Sequence, residues 1–205
     1  MINMFNLIRK DIVLQKQIIM ILLPVLLIYL LLDSSSILVG YLFSTIMIMV
    51  AFSIDEKSEI NILLNSLPYT RKQIVSSKYI GVFIFTFLVV FTIFIGNLII
   101  HKEITPWKDI LFIFSLVMVF TALILPFSYK FKSQYLLIAS PVLFVIYMVV
   151  VTFFIKNLND KIREFVQALL TSQNSQLYWL IVLSVVAIYV CSWFLSIRIY
   201  RKKVF

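Results

Sequence analysis

Residues 55–78 read DEKSEINILLNSLPYTRKQIVSSK, a long polar interruption in a chain that is otherwise strongly apolar. Ile60, Leu63, Leu64 and Leu67 recur at i, i+3, i+4 and i+7, which predicts a short amphipathic helix over Lys57–Ser66 with one face against the bundle or the membrane. Asp55, Glu56 and Glu59 fall in its first turn, where carboxylates suit the positive end of the helix dipole. Pro68 ends it, because a proline cannot continue the hydrogen-bond ladder and drives the preceding residue out of the helical region. Thr70-Arg71-Lys72-Gln73 then has the spacing of a capping box, so a new helix should begin at Arg71 and run unbroken to Ile100. At about 1.5 Å per residue that helix reaches about 45 Å, more than the ~30 Å hydrocarbon core of a bilayer, so its start has to protrude. The reading is a helix, a turn at Asn65–Thr70, and a second helix presenting a rigid polar tip.

The remainder of the chain fixes the solvent. A hydrophobic content of 62%, a charged content of 13% and a mean hydropathy of +1.07 exceed what a soluble globule of 205 residues can bury, given its surface-to-volume ratio. The expectation is an all-α membrane protein, a single transmembrane domain over residues 1–205 without an attached soluble catalytic domain. Cys191 lies in an apolar run, where a lone thiol acts as a small buried or lipid-facing residue. The net charge of +9 flanks apolar spans and reads as a topology signal; nucleic acid is not expected as a partner.

Taken in order, Phe5, Ile8 and Ile12 form one helical stripe with Met1, while Arg9, Lys10 and Lys16 lie largely off it, which predicts an N-terminal interfacial helix over Met1–Gln17. A cleaved signal peptide is the rival reading, but no small-x-small site follows the apolar run. Six spans follow, at about 18–32, 37–54, 80–100, 110–127, 135–155 and 177–197. Pro24 is placed to kink the first, and Asp33–Ser36 turns it into the second; a re-entrant hairpin is the alternative for this pair. Between the fifth and sixth spans, Leu158, Ile162, Phe165, Val166 and Leu169 make an apolar stripe, which predicts an outer amphipathic helix either covering the bundle or gating it.

Charge sets the orientation. With the N-terminus inside, the inner segments carry three basic residues before the first span, four between the second and third, two between the fourth and fifth, and four in the tail. The outer loops carry Lys102, Lys108, Lys156, Lys161 and Arg163 alone. Such an excess of inner Lys and Arg predicts both termini in the cytoplasm of a multi-pass plasma-membrane protein. Trp107, Tyr178 and Trp179 fall at outer boundaries, where amphipathic rings prefer the headgroup level.

The segment Ser66-Leu67-Pro68, followed by Arg71, Ile74-Val75 and Lys78-Tyr79, resembles the stretch after the second span in six-span permeases of the type-2 ABC exporter family. The layout resembles that family along nearly the whole chain. The resemblance implies that the first cytoplasmic loop is a coupling helix docking on a separate ATP-hydrolysing ABC subunit, through Glu59, Asn61, Asn65, Ser66, Leu67, Pro68, Tyr69, Thr70 and Arg71. It implies a homodimer or a heterodimer with a related permease, surrounded by membrane lipid, with ATP and Mg on the partner subunit and no cofactor bound by this chain. Consistent with this, no G-x-x-x-x-G-K-[ST] run occurs, so the chain has no P-loop of its own. The second inner loop, Lys130–Gln134, is short for a second large contact.

Enzymatic readings find little support. His101 is the single histidine and sits at an outer boundary, too few ligands for a metalloenzyme. The acidic residues fall in loops or at span ends, which leaves no paired carboxylates at depth for a protease or a proton relay. Thr86, Thr92, Asn97, Ser115, Thr121, Ser140, Thr152 and Ser184 read as helix-packing residues. Phe83, Phe87, Phe91 and Phe94 recur down one face of the third span and suit lipid contact or an apolar cargo. The expected function is export of a hydrophobic or amphipathic cargo, such as a peptide, driven by a separate ATPase. The alternative is a non-transporting multi-pass protein, such as an immunity, sensor or accessory subunit.

Overall fold

The computed structural model describes residues 4–32, 35–57, 69–131 and 175–202, and all of its regular structure there is helical. Five helices are described: α1 (Met4–Leu31), α2 (Ser36–Lys57), α3 (Arg71–Ile100), α4 (Trp107–Lys130) and α5 (Ser175–Lys202). Four of them, α1, α3, α4 and α5, are long and apolar enough to cross a membrane; in α2 the apolar stretch is Ser36–Ala51. The expected fifth span at 135–155 and the outer helix of Leu158, Ile162, Phe165, Val166 and Leu169 lie outside the described residues, as do 58–68.

α3 occupies the residues its signals predict, Arg71–Ile100. The Thr70 Oγ1 accepts from the Gln73 backbone N–H at 3.2 Å, and the Gln73 Oε1 accepts from the Thr70 backbone N–H at 2.9 Å. Two amides that have no partner within the helix are thereby satisfied, a contribution of about 1 kcal/mol for a cap of this kind. At the other end the His101 N–H closes on the Asn97 carbonyl, and Lys102 takes a left-handed φ of 55° to turn the chain away.

Two expectations are corrected. The N-terminal interfacial helix and the first span are one continuous helix, α1, with no break near Gln17. The stretch packs alongside α3, with Leu7, Asp11 and Gln15, spaced one turn apart, buried, while Phe5 and Ile12 of the expected stripe stay exposed and Ile8 is half-buried. Asp55 and Glu56 continue α2 and do not open a new helix after it, since the apolar helix carries on through Lys57.

α1 and α3 run parallel, with Asp11 meeting Lys78 near their starts and Leu27 and Leu30 meeting Gly96 near their ends. α4 packs most extensively on α5, and α2 sits between α1, α3 and α4. Gly40 makes that wedge possible: a Cβ there would come within 2.8 Å of the Ile113 Cδ1 and 3.0 Å of the Ile93 Cδ1. Small residues at close helix approaches are the usual device of packing in a bilayer. Leu26, Leu30, Val39, Phe43, Met47, Phe85, Val89 and Ile93 form one core among α1, α2 and α3. A second core joins α3, α4 and α5 around Val75, Tyr79, Val117, Leu125, Tyr189 and Tyr200.

Outside these cores the surface is apolar. Phe83, Phe87 and Phe91 are exposed on α3, and Phe87 stacks on Phe91 at 6.1 Å. Thr86, Thr92 and Thr121 return their hydroxyls to carbonyls of their own helices, which is how a packed helix hides a hydroxyl from hydrocarbon. Arg9, Lys10, Arg71, Lys72, Lys78, Lys130, Arg198, Arg201 and Lys202 gather at one end of the bundle, here the basic end, and Lys102 and Lys108 sit at the other.

Candidate functional site

The polar stretch that interrupts the sequence leads into α3, and its first two turns are held by contacts with two other helices, α1 and α5. The Arg71 Nη1 donates to the carbonyls of Arg201 at 2.6 Å and Tyr200 at 3.3 Å. The last carbonyls of a helix have no partner within it, so the guanidinium caps α5 and places positive charge at the negative end of its dipole. One turn on, the Trp193 indole N–H donates to the Ser76 Oγ at 3.0 Å, and the Lys72 ammonium lies 5.5 Å from the centre of the Trp193 ring. Replacing Arg71 by methionine is expected to cost about 1.5 kcal/mol, the low end for a charge-assisted hydrogen bond because one carbonyl is exposed. The check is a lower unfolding midpoint together with faster amide hydrogen exchange over 198–202.

Lys78 is 8% exposed and Asp11 4%, and the Lys78 Nζ meets the Asp11 Oδ1 at 2.8 Å. Lys10 reaches the same oxygen at 3.0 Å. A buried carboxylate is kept only where charge and hydrogen bonds compensate for lost hydration, so this pair fixes the rotation of α1 against α3.

Next to it lies a chain of hydroxyls. The Ser192 Oγ donates to the Ala122 carbonyl at 2.6 Å, which uses its one proton. The Tyr79 hydroxyl, 2.7 Å away, therefore donates to Ser192, and Ser196 at 2.8 Å donates to Tyr79. The Tyr189 hydroxyl donates to the Tyr79 carbonyl at 2.9 Å. One ordered series of bonds thus connects α3, α4 and α5 just inside the basic end. The start of α3 is thereby joined to α1 through Asp11 and to α5 through Arg71 and Trp193, and Ser192 extends the connection to α4.

At the opposite end the Asn97 Nδ2 donates to the Ser36 Oγ at 3.0 Å and the Thr105 Oγ1 at 2.9 Å, and the His101 Nε2 lies 3.1 Å from the Leu30 carbonyl. His101 thus has a structural place joining α1 to α3. Among the described residues no cluster of His, Cys, Asp and Glu is arranged to hold a metal ion.

Of the residues expected to dock a partner, Glu59, Asn61, Asn65, Ser66, Leu67 and Pro68 lie outside the described residues. Tyr69 is half-buried against the second core, Thr70 is the exposed cap, and Arg71 caps α5. Of the interfacial set, Arg9 is exposed and Lys10 pairs with Asp11. Asp11, Tyr79, Trp193, Ser192 and Ser196 were not among the expected site residues. Ser192 and Ser196, one turn apart on an apolar helix, carried a legible signal, because hydroxyls on one face imply a polar partner across the interface.

A family model described as ABC-2 family transporter protein matches residues 6–201 of the sequence. The chain belongs to the ABC-2 transporter family. Searches of curated proteins and of solved structures returned no match. Membership makes the chain a multi-pass membrane component of a transporter, not itself catalytic, and in general such ABC-2 permeases associate with an ATP-binding ABC subunit. The resemblance carried by Ser66-Leu67-Pro68 and the helical layout is therefore upheld at the level of the family.

Proposed function

We propose that this chain is the permease subunit of an ATP-driven exporter, in which the 55–78 stretch receives the movement of a separate ATPase and α3 carries it into the bundle. The observation that supports this most is the bracing of the start of α3: a thirty-residue helix opens on a capping box and is tied within two turns to α1 and α5. A loop that only connected two spans would need no such bracing. ATP and Mg are held by the partner, whose closure pushes the tip formed by Asn65–Arg71. Two such permeases, identical or related, enclose the pathway between them, and the cargo is hydrophobic or amphipathic.

In this reading the basic end faces the cytoplasm, following the inner excess of Lys and Arg. α4 ends at the basic end and α5 begins at the opposite one, which supports a return crossing by the fifth span at 135–155 and six spans in all. The test is ATP-dependent export of an amphipathic peptide from vesicles containing the permease and the ABC ATPase it purifies with. Leu67→Asp is expected to abolish both ATPase association and export while α3 and its capping box keep their hydrogen-exchange protection. Full association and full export by that variant would overturn the reading.

A further inference from the structure

Where α4 and α5 end at the basic end, a groove of about 500 Å³ opens between them, lined by Tyr129, Lys130, Leu195, Ile199 and Lys202. We propose that it is a binding site for an anionic phospholipid, with the phosphate between Lys130 and Lys202 and the acyl chains along Leu195 and Ile199. Both lysines are exposed, and no carboxylate lines the groove among the described residues. Among the described residues the groove thus offers two cations to an anion and no carboxylate.

Its walls select the rest of the ligand. Leu195 is 51% exposed and Ile199 half-buried one turn further along α5, and both line the groove. The floor is closed by Tyr129, whose ring packs edge-on against Tyr200 at 5.2 Å, so the groove is a fixed feature of the helix pair. A bare phosphate would gain the lysines and leave the apolar walls wet. An acidic protein segment would match the charge yet leave the walls facing hydrocarbon. A phospholipid fits both, because apolar helices give way to basic residues here as acyl chains give way to headgroups. Each basic residue near an anionic lipid surface is worth a fewfold in affinity, on the order of fivefold.

Native mass spectrometry of the purified full-length protein, offered equal phosphatidylglycerol and phosphatidylcholine of the same acyl chains, tests this. The wild type is expected to retain phosphatidylglycerol preferentially. Lys130→Gln with Lys202→Gln should remove that preference, by on the order of fivefold for each lysine. Lys16→Gln, an exposed change on α1, should leave it unchanged and controls for general loss of charge. Equal retention of the two lipids by the wild type, or an unchanged preference in the double variant, would overturn the proposal. So would displacement of the lipid by millimolar inorganic phosphate, which would mean a simple anion site. Loss of ATPase binding by the double variant with its lipid preference intact would assign the groove to the protein partner and equally overturn it.

Discussion

Replacing Lys78 by methionine is expected to lower the stability of the folded bundle by about 3 kcal/mol. The change leaves the Asp11 carboxylate, 4% exposed, without its closest cation. Breaking a buried pair by removing one partner typically costs about 3–5 kcal/mol. The lower end applies because Lys10 still reaches the same oxygen at 3.0 Å and is itself partly exposed. Removing both charges has a different result. Asp11→Leu combined with Lys78→Met should return to within about 1 kcal/mol of the wild type, since a well-packed apolar pair often replaces a buried ion pair without loss. Thermal unfolding in detergent measures the stabilities. Export shows whether the pair has a second role: if α1 follows α3 through this contact, the double variant folds well and exports poorly.

The same pair marks the limit of what the sequence discloses. Helix α3 was legible from end to end because its signals are local: Thr70 and Gln73 lie three residues apart, and from Tyr79 to Ile100 the chain is strongly apolar and carries no charge. α4 and α5 extend only a few residues past their apolar cores, as basic last turns allow. By contrast, Asp11 among Asn6, Arg9, Lys10 and Lys16 reads as part of a water-facing surface, and nothing within a few turns shows that its partner is sixty-seven residues away. The first half of α1 therefore looked like a helix lying on the membrane. Arg71 posed a similar problem. Nothing near it in the sequence shows that its guanidinium also reaches the last carbonyls of α5, an interaction 130 residues long in sequence. Asp55 and Glu56 were misassigned for the opposite reason: carboxylates favour a helix start, and here the preceding helix simply continues through them.

The second large effect concerns the tip. If ATPase docking takes place there, contact with the partner should be confined to one end of the molecule and centred on Asn65–Arg71. The exposed Cys191 is the single native thiol, so Cys191→Ser gives a background in which one introduced cysteine reports one position. Ser66→Cys samples the tip. Lys102→Cys samples the turn after α3 at the opposite end, some thirty residues along the same helix and about 45 Å away at 1.5 Å per residue. The measurement that decides is cross-linking of each thiol, through a short thiol-to-amine reagent, to the co-purified ABC ATPase in membranes that still export. A strong adduct is expected from Ser66→Cys, altered in yield by ATP, and none from Lys102→Cys. Equal adducts from both positions, or none from Ser66→Cys in an exporting complex, would contradict it.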